Sequence, residues 1–163
     1  MIAARLPKGA AVVYRAFGAK DAEATARALR RITRARGLRL LIGADDDLAT
    51  RVGADGVHLP ERLASRIERL KRAHPTWLVS VAAHGPAALR WARGADAAVV
   101  SPIFPSRSPS AGAALGPVRL AQMIRGHGVP VIALGGVNRK NALRLLSTGA
   151  AGLAAIEGFL EAD

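Results

Sequence analysis

The stretch Val129–Phe159, VPVIALGGVNRKNALRLLSTGAAGLAAIEGF, holds two apolar runs separated by a polar turn and a helix-like segment. Both runs are short and end in glycine, which is typical of buried strands that lead into a turn. The stretch therefore predicts a βαβ unit with strands at 129–136 and 152–158 and a helix at 138–149. Asn138 is placed to cap that helix.

The rest of the chain repeats this alternation of short apolar runs and helical patterns. The phrases VGADGVHL, RGADAAVV and TGAAGLAAI each join the end of a predicted helix to a strand, which indicates one repeated βα unit. Because the runs are continuously apolar, both faces of each strand are expected to be buried in a parallel sheet. The other strands are predicted at 10–17, 38–44, 55–59, 77–83 and 97–104, and the other helices at 21–37, 45–53, 61–74, 85–94 and 117–126.

Seven predicted strands are compatible with two α/β folds. A TIM-type (β/α)8 barrel has eight parallel strands, so its first strand would be missing here. A doubly wound open sheet accepts seven strands, but its phosphate loop usually follows the first of them. The pair Gly135–Gly136 instead follows the sixth strand, which is the seventh of a barrel that lacks its first. Barrels commonly bind phosphate there, so the barrel is the predicted fold.

Composition narrows the class of protein. The 163 residues show no linker and predict a single domain, 1–163, and the absence of Cys excludes disulfides and thiolate chemistry. Lys and Arg outnumber Asp and Glu by 24 to 12, but they follow helical patterns with few aromatic residues among them. Phosphorylated small molecules are therefore the expected partners, and nucleic acid is not. With no membrane-length apolar run and no signal peptide, a cytoplasmic protein without a membrane partner is expected.

Two segments are candidates for anion binding. Gly135, Gly136 and Gly158 would let a phosphate approach backbone N–H groups closely, although glycines also serve tight turns. The loop 105–116 follows a predicted strand, where barrel active sites form, and a plain solvent loop is the alternative. This loop contains three potential donors to an anion, Ser106, Arg107 and Ser108.

His84 and Asp45 are candidates for catalysis and metal binding. His84 follows the predicted strand 77–83 and is a candidate general acid or base near neutral pH; the alternative is a surface histidine at a helix start. Asp45 opens the acidic run 45–47 after another strand, so it is either a Mg²⁺ ligand or a helix N-cap. No group of His, Asp and Glu has the sequence spacing of a metal site.

The phrases GADGVHL, VSVAAHG, SPIFPS, LG, VPVIALGGVN and GAAGLAAI occur together in this order. From about Gly9 to Phe159 the chain resembles the thiamine phosphate synthase/TenI superfamily, whose members are (β/α)8 barrels. The resemblance implies either of two activities. The synthase joins hydroxymethylpyrimidine diphosphate to thiazole phosphate with Mg²⁺ and releases pyrophosphate, whereas TenI-like thiazole tautomerases shift a proton without a metal. The family's first strand and helix are not matched, through a truncation or a late start.

The resemblance also implies residue roles. Gly135 and Gly136 match the family's phosphate-binding pair, and near the last strand Glu157 stands beside Gly158 where a Ser is expected. His84 matches a histidine of both branches, the acid/base candidate of the tautomerases. The substrate-binding positions fall on Arg15, Ser106, Arg107 and Ser108.

The metal-binding end of the family pattern is poorly matched. A Mg²⁺-ligating Asp falls on Ala44, which leaves Asp45 as a weak candidate, and Glu61 is a poor substitute for a second Asp. The resemblance therefore favours the TenI-like branch, with a phosphorylated thiazole or thiamine phosphate as ligand and no cofactor. An active Mg²⁺-dependent synthase and a non-catalytic binding or regulatory protein are the alternatives.

A barrel without its first strand exposes two strand edges. Unpaired strand edges tend to pair with another chain. The sequence therefore predicts a homodimer or an unstable chain.

Overall fold

A computed structural model describes residues 6–106 and 112–156. In this part of the chain, strands and helices alternate as the sequence predicts. The strands are β1 (Ala11–Tyr14), β2 (Arg39–Gly43), β3 (Gly56–Leu59), β4 (Leu78–Ala83), β5 (Ala97–Val100), β6 (Val131–Ala133) and β7 (Gly152–Leu153). The α-helices are α1 (Ala22–Arg36), α2 (Asp46–Val52), α3 (Ile67–Ala73), α4 (Pro86–Trp91) and α5 (Gly116–Ile124).

The chain divides into two compact units, unit 1 from Met1 to Val79 and unit 2 from Ser80 to Asp163. In unit 1, β2 pairs in parallel with β1 and with β3. In unit 2, β4, β5, β6 and β7 pair in parallel in sequence order. Parallel pairing between successive strands is the prediction made from the continuous apolar runs, and it is confirmed within each unit. The single domain over 1–163 stays a prediction.

The interior of unit 1 follows the predicted pattern, except at its outer strand. Leu40, Leu41 and Ile42 of β2 are all buried, so both faces of that strand are covered. The prediction of two buried faces is wrong for β1, where Val13 is 41% exposed. Among the described residues of unit 1, β1 pairs only with β2, so the other edge of this strand is unpaired there.

A carboxylate joins three parts of unit 1. Asp55 lies just before β3 and is 14% exposed. Its Oδ2 accepts a hydrogen bond from Arg30 Nη1 at 2.7 Å and one from the Leu40 amide at 2.8 Å. Its Oδ1 accepts from Arg39 Nη1 at 3.3 Å. The carboxylate therefore fixes α1 and β2 to the turn before β3.

Two predicted helices differ from the structure. The segment predicted as one helix at 61–74 is a 3₁₀ helix at Glu61–Arg66 followed by α3. The helix predicted at 138–149 is reduced to a 3₁₀ helix at Ala142–Leu145. In the second case Asn side chains bond to nearby backbone groups, which competes with helical hydrogen bonds.

Three predicted strands of unit 2 also end early. The predicted strands 97–104 and 129–136 end at Val100 and Ala133, and the predicted strand 152–158, described as far as residue 156, ends at Leu153. Among the described residues, no helix has both the length and the apolar character that crossing a membrane requires.

Candidate functional site

The glycine pair after β6 is a left-handed turn pressed against a neighbouring segment of unit 2. Gly135 has φ 94° and Gly136 has φ 64°. A Cβ at Gly135 would lie 2.8 Å from Pro102 Cα, and one at Gly136 would lie 2.8 Å from the Phe104 carbonyl oxygen. Backbone conformation and packing therefore both require glycine at these two positions.

Three successive amides of this loop are open. The N–H groups of Gly135, Gly136 and Val137 donate to no acceptor in the described part of the chain. Successive backbone N–H groups in such a turn form a concavity with partial positive charge that suits an anion. The carbonyl side of the same loop is satisfied, because Phe104 N–H donates to Gly135 O at 2.9 Å.

Two asparagines hold the loop in shape. Asn141 Nδ2 donates to the backbone oxygen of Gly136 at 2.8 Å, and the backbone N–H of Asn138 donates to Asn141 Oδ1 at 2.9 Å. Asn138 Oδ1 in turn accepts from the amides of Lys140 and Asn141. The sequence predicts that Asn138 caps a helix. In the structure Asn138 instead belongs to a turn, in which side-chain hydrogen bonds replace the helical ones. The spacing N-x-x-N after the glycine pair is the sequence signal that could have revealed it.

A further cation, Arg144, packs against the segment beside the glycine pair. The guanidinium carbon of Arg144 lies 5.2 Å from the centroid of the Phe104 ring, which is buried. Ser106 is exposed just beyond Phe104. Sequence reasoning missed Arg144, since its position in a predicted helix suggests only a solvated face. Four predicted site residues, Arg107, Ser108, Glu157 and Gly158, lie outside the described residues.

His84 directly follows β4 in unit 2. It is exposed, and α4 begins two residues later at Pro86, which occupies the first turn. The helix start fixes the backbone next to His84. The role of His84 as an acid or base stays a prediction.

The strand ends of unit 1 place Arg15 across Gly43. The guanidinium carbon of Arg15 lies 4.5 Å from the centroid of the Phe17 ring. A Cβ at Gly43 would lie 2.8 Å from Arg15 Cγ, so the arm of Arg15 runs over the place where residue 43 has no side chain. Phe17 is a residue that the sequence analysis did not single out.

His58 of β3 lies near this arginine. Burial and, as a smaller contribution, the positive charge of Arg15 together lower the pKa of His58 to about 4. The imidazole is therefore neutral at pH 7. His58 is partly buried in unit 1.

Two of the three carboxylates in the acidic run after β2 are already engaged within the protein. Asp45 caps α2, as the capping alternative predicts, because its Oδ1 accepts from the Leu48 amide at 2.7 Å. Asp46 Oδ1 accepts from Arg66 Nη2 at 2.5 Å, and Asp46 Oδ2 lies 3.4 Å from Arg69 Nη2. Burial acts to raise the pKa of Asp46, but the hydrogen bond and charge of Arg66 outweigh it and lower the pKa.

The two engaged carboxylates, Asp45 and Asp46, do not suit a Mg²⁺ ion. Mg²⁺ is usually held by one or two carboxylates together with substrate phosphates and water, and those carboxylates have to be available to the ion. Among the described residues, no three His, Asp or Glu side chains are grouped to hold a metal. Ala44 has no side-chain oxygen, and two of the three carboxylates that follow it, those of Asp45 and Asp46, serve a helix cap and an ion pair. Asp45 and Asp46 are therefore poorly placed to bind a Mg²⁺–diphosphate group.

The described residues form parallel βα units, with polar residues after the strands and a glycine loop after a late strand. These features are typical of one class of protein, the TIM-type (β/α)8 barrels. Seven of the strands lie in the described part of this chain. The chain matches the family described as thiamine monophosphate synthase over residues 1–159, and it belongs to that family. The predicted fold class and the predicted family are thereby confirmed.

Individual relatives agree with this assignment. The chain is 38% identical over 138 residues to a putative thiamine-phosphate synthase of Geobacter sulfurreducens, covering 83% of this chain and 65% of that protein. It is 35% identical to the thiamine-phosphate synthase of Chloroflexus aurantiacus, covering all of this chain and 78% of that protein. A solved thiamine phosphate pyrophosphorylase from Pyrococcus furiosus superposes with a TM-score of 0.77 at 26% identity, covering 95% of this chain and 76% of the other. The chain thus spans about two thirds to three quarters of the length of these relatives.

Proposed function

We propose that this protein is a TenI-like member of the family that moves a proton on a phosphorylated thiazole without a metal. The observation that carries the proposal is the engagement of Asp45 and Asp46 within unit 1. A diphosphate leaving group needs its developing negative charge neutralised, usually by a metal ion. Proton transfer within a substrate has no such requirement, because no anion leaves.

The glycine loop of unit 2 supports a phosphorylated ligand. Backbone amides at Gly135, Gly136 and Val137 would hold the phosphate, since they have no acceptor in the described residues. The asparagine pair keeps these amides in place before the ligand arrives, so little conformational entropy is lost on binding. A phosphorylated thiazole or thiamine phosphate carries the required group.

His84 supports the catalytic part of the proposal. A single imidazole is able to take a proton from one ring atom of the substrate and return it to another, so that atoms and charge balance without a co-reactant. Ser106 lies on a segment that is hydrogen-bonded to the glycine loop, where it would orient the heterocycle.

Two activities should be measured on the same preparation. Tautomerisation of the thiazole phosphate should proceed equally with Mg²⁺ and with EDTA, and thiamine phosphate should not form from the pyrimidine diphosphate and the thiazole phosphate. His84→Gln should lower tautomerase kcat roughly 10²- to 10⁴-fold, the usual contribution of a general acid or base. Affinity for the phosphorylated ligand should be retained.

His127→Gln is the matched control, because His127 also lies in unit 2 but follows the helix α5. Mg²⁺-dependent formation of thiamine phosphate would replace the proposal with the synthase activity. Ligand binding without turnover in the unsubstituted protein would indicate a non-catalytic binding protein.

A further inference from the structure

Arg144 packs across the segment that borders the glycine loop of unit 2. Its guanidinium carbon lies 5.2 Å from the centroid of the Phe104 ring, which is within the range of cation–π attraction. Arg144 is exposed, whereas Phe104 is buried, so the guanidinium lies at the surface over an enclosed ring. The contact joins the 3₁₀ helix Ala142–Leu145 to the segment that follows β5.

The charge of Arg144 has no competing carboxylate nearby in its unit. Among the described residues of unit 2, the one acidic residue is Asp96, which precedes β5, whereas Phe104 follows that strand. Arg144 forms no ion pair with a carboxylate of the described residues. A guanidinium beside a carboxylate would form a charge-assisted hydrogen bond, and without one the aromatic face is the attractive partner.

Phe104 in turn holds both glycines of the loop. Its N–H donates to the backbone oxygen of Gly135 at 2.9 Å. Its carbonyl oxygen is so close to Gly136 that a Cβ there would lie 2.8 Å away. A shift of Phe104 would therefore move the turn whose amides at Gly135, Gly136 and Val137 are open.

The backbone of Arg144 is tied to the same turn. The Arg144 N–H donates to the backbone oxygen of Asn141 at 3.0 Å, and Asn141 Nδ2 donates to the backbone oxygen of Gly136 at 2.8 Å. Leu145, at 2% exposure, anchors this 3₁₀ helix in the interior of unit 2. The turn is therefore held from one side by Asn141 and from the other by the ring on which Arg144 packs.

We propose that Arg144 is a positioning residue for the glycine turn. It holds Phe104 against Gly135 and Gly136 and thereby fixes the direction of the open amides. This inference rests on the proposed function, in which these amides bind the phosphate of the ligand. Because donors that are already in place lose less entropy on binding, Arg144 increases phosphate affinity without contacting the ligand.

Amide hydrogen exchange in the absence of any anion tests the positioning directly. In Arg144→Ala the Phe104 amide should exchange roughly 2- to 5-fold faster, the factor that corresponds to an exposed cation–π contact. The Ala98 amide, near the start of β5, donates to the backbone oxygen of Pro130 at 2.8 Å and should keep its exchange rate. An unchanged rate for Phe104 would overturn the inference.

Binding of inorganic phosphate, followed through the amide NMR signals of Gly135 and Gly136, measures the consequence. Arg144→Ala should weaken phosphate binding by a similar factor of roughly 2 to 5. Arg144→Lys should retain most of the affinity, whereas Arg144→Met keeps apolar contact with the ring but lacks the charge and should behave as Arg144→Ala does. Full affinity in Arg144→Met would show that the charge is dispensable and would contradict the proposal.

Arg125→Ala is the matched control for the loss of one positive charge. Arg125 is an exposed arginine of unit 2 at the carboxyl end of α5. This variant should bind phosphate as the unsubstituted protein does. A weakening equal to that of Arg144→Ala would indicate a general effect of net charge and not of position.

A double-variant cycle separates positioning from direct contact with the ligand. Phe104→Leu removes the aromatic face but keeps an apolar side chain, so in this background Arg144→Ala should have no further effect on phosphate affinity. An undiminished effect would mean that Arg144 itself contacts the anion, and the positioning role would be wrong. With the phosphorylated thiazole as substrate, Arg144→Ala should raise KM and leave kcat unchanged, because it acts on binding alone.

The outcome is distinguishable from failure of the proposed function, since exchange and phosphate binding do not depend on turnover. If no tautomerase activity is found but phosphate binding depends on Arg144 through Phe104, only the proposed function fails. If His84→Gln abolishes tautomerase activity but Arg144→Ala binds phosphate normally, only this inference fails. If phosphate leaves the signals of Gly135 and Gly136 unchanged in the unsubstituted protein, both fail.

Discussion

The strand ends of unit 1 and those of unit 2 differ in what their polar groups already bind. In unit 1 the carboxylates of Asp45 and Asp46 are engaged by a helix amide and by arginines. In unit 2 the amides of Gly135 and Gly136 are left open by a turn whose carbonyls are satisfied. One region therefore depends on side-chain charge, and the other depends on backbone geometry.

This difference determines how each region responds to substitution. A charged side chain such as Arg15 is replaceable with little change to the fold, so its loss should appear in binding before it appears in stability. A backbone site cannot be removed without changing the turn itself. Substitutions in the glycine loop should therefore affect folding and binding together.

Gly136→Ala tests the backbone region and should have the largest effect on stability. The new Cβ would lie 2.8 Å from the Phe104 carbonyl oxygen, and alanine would have to adopt φ 64°. We expect a loss of about 3–4 kcal/mol in the free energy of unfolding, from strain and overpacking together. Urea denaturation measures it, with Gly128→Ala as the control that should change stability by less than about 0.5 kcal/mol. Equal stability of the two variants would contradict the packing argument.

Asp55→Ala tests the strand ends of unit 1, where the charge of the Asp55 carboxylate stabilises the fold. The change removes the acceptor for Arg30 and for the Leu40 amide, and it leaves both donors partly buried. We expect a loss of about 3 kcal/mol, reduced from the full value of a buried pair because Arg30 is 25% exposed. Glu68→Gln, an exposed acid of α3, should be neutral in the same urea experiment. A neutral Asp55→Ala would show that the three hydrogen bonds do not stabilise unit 1.

The order of strands and helices could be predicted from the sequence because it depends on the local spacing of apolar residues. Gly37 ends α1 with φ 64°, and Asp45 caps α2, as their residue types suggest. The helix expected at 138–149 failed because Asn138 and Asn141 bond to each other's backbone. Pattern reasoning weighs the apolar spacing of that segment and does not count such local competition.

The candidate site could be predicted only in part. Gly135, Gly136 and His84 follow strands, and position in a βα unit is readable from sequence. The contacts of Arg15 with Phe17 and Gly43, and of Asp46 with Arg66, join residues that are distant or unpatterned in sequence. Such pairings depend on register and side-chain packing, which no local pattern encodes. The use of Asp46 as an ion-pair partner is therefore a structural finding.

Acid should lower the stability of the protein through protonation of His58 in unit 1. The unfolded chain binds a proton near pH 6.5, but in the folded state the pKa is about 4, owing to burial and then to Arg15. Stability is therefore fully present above pH 6.5 and is lost as the pH falls towards 4, by about 2–3 kcal/mol after allowance for partial exposure. Urea unfolding between pH 7 and pH 4.5 should show a smaller loss for His58→Asn than for the unsubstituted protein. Parallel curves for the two proteins would exclude His58 as the source.

Ala44→Gly should have the smallest effect, and its sign tests whether strain is stored at the strand ends of unit 1. Ala44 holds φ 61°, and its amide donates to the His58 carbonyl at 2.9 Å, a bond that glycine retains. Relief of the left-handed strain should outweigh the greater entropy of glycine in the unfolded chain, giving a gain of about 0.5–1 kcal/mol. Ala73→Gly, in a helical residue of α3, is the matched change and should lose a similar amount. If both variants lose stability, the left-handed conformation of Ala44 has no measurable cost in the free energy of unfolding.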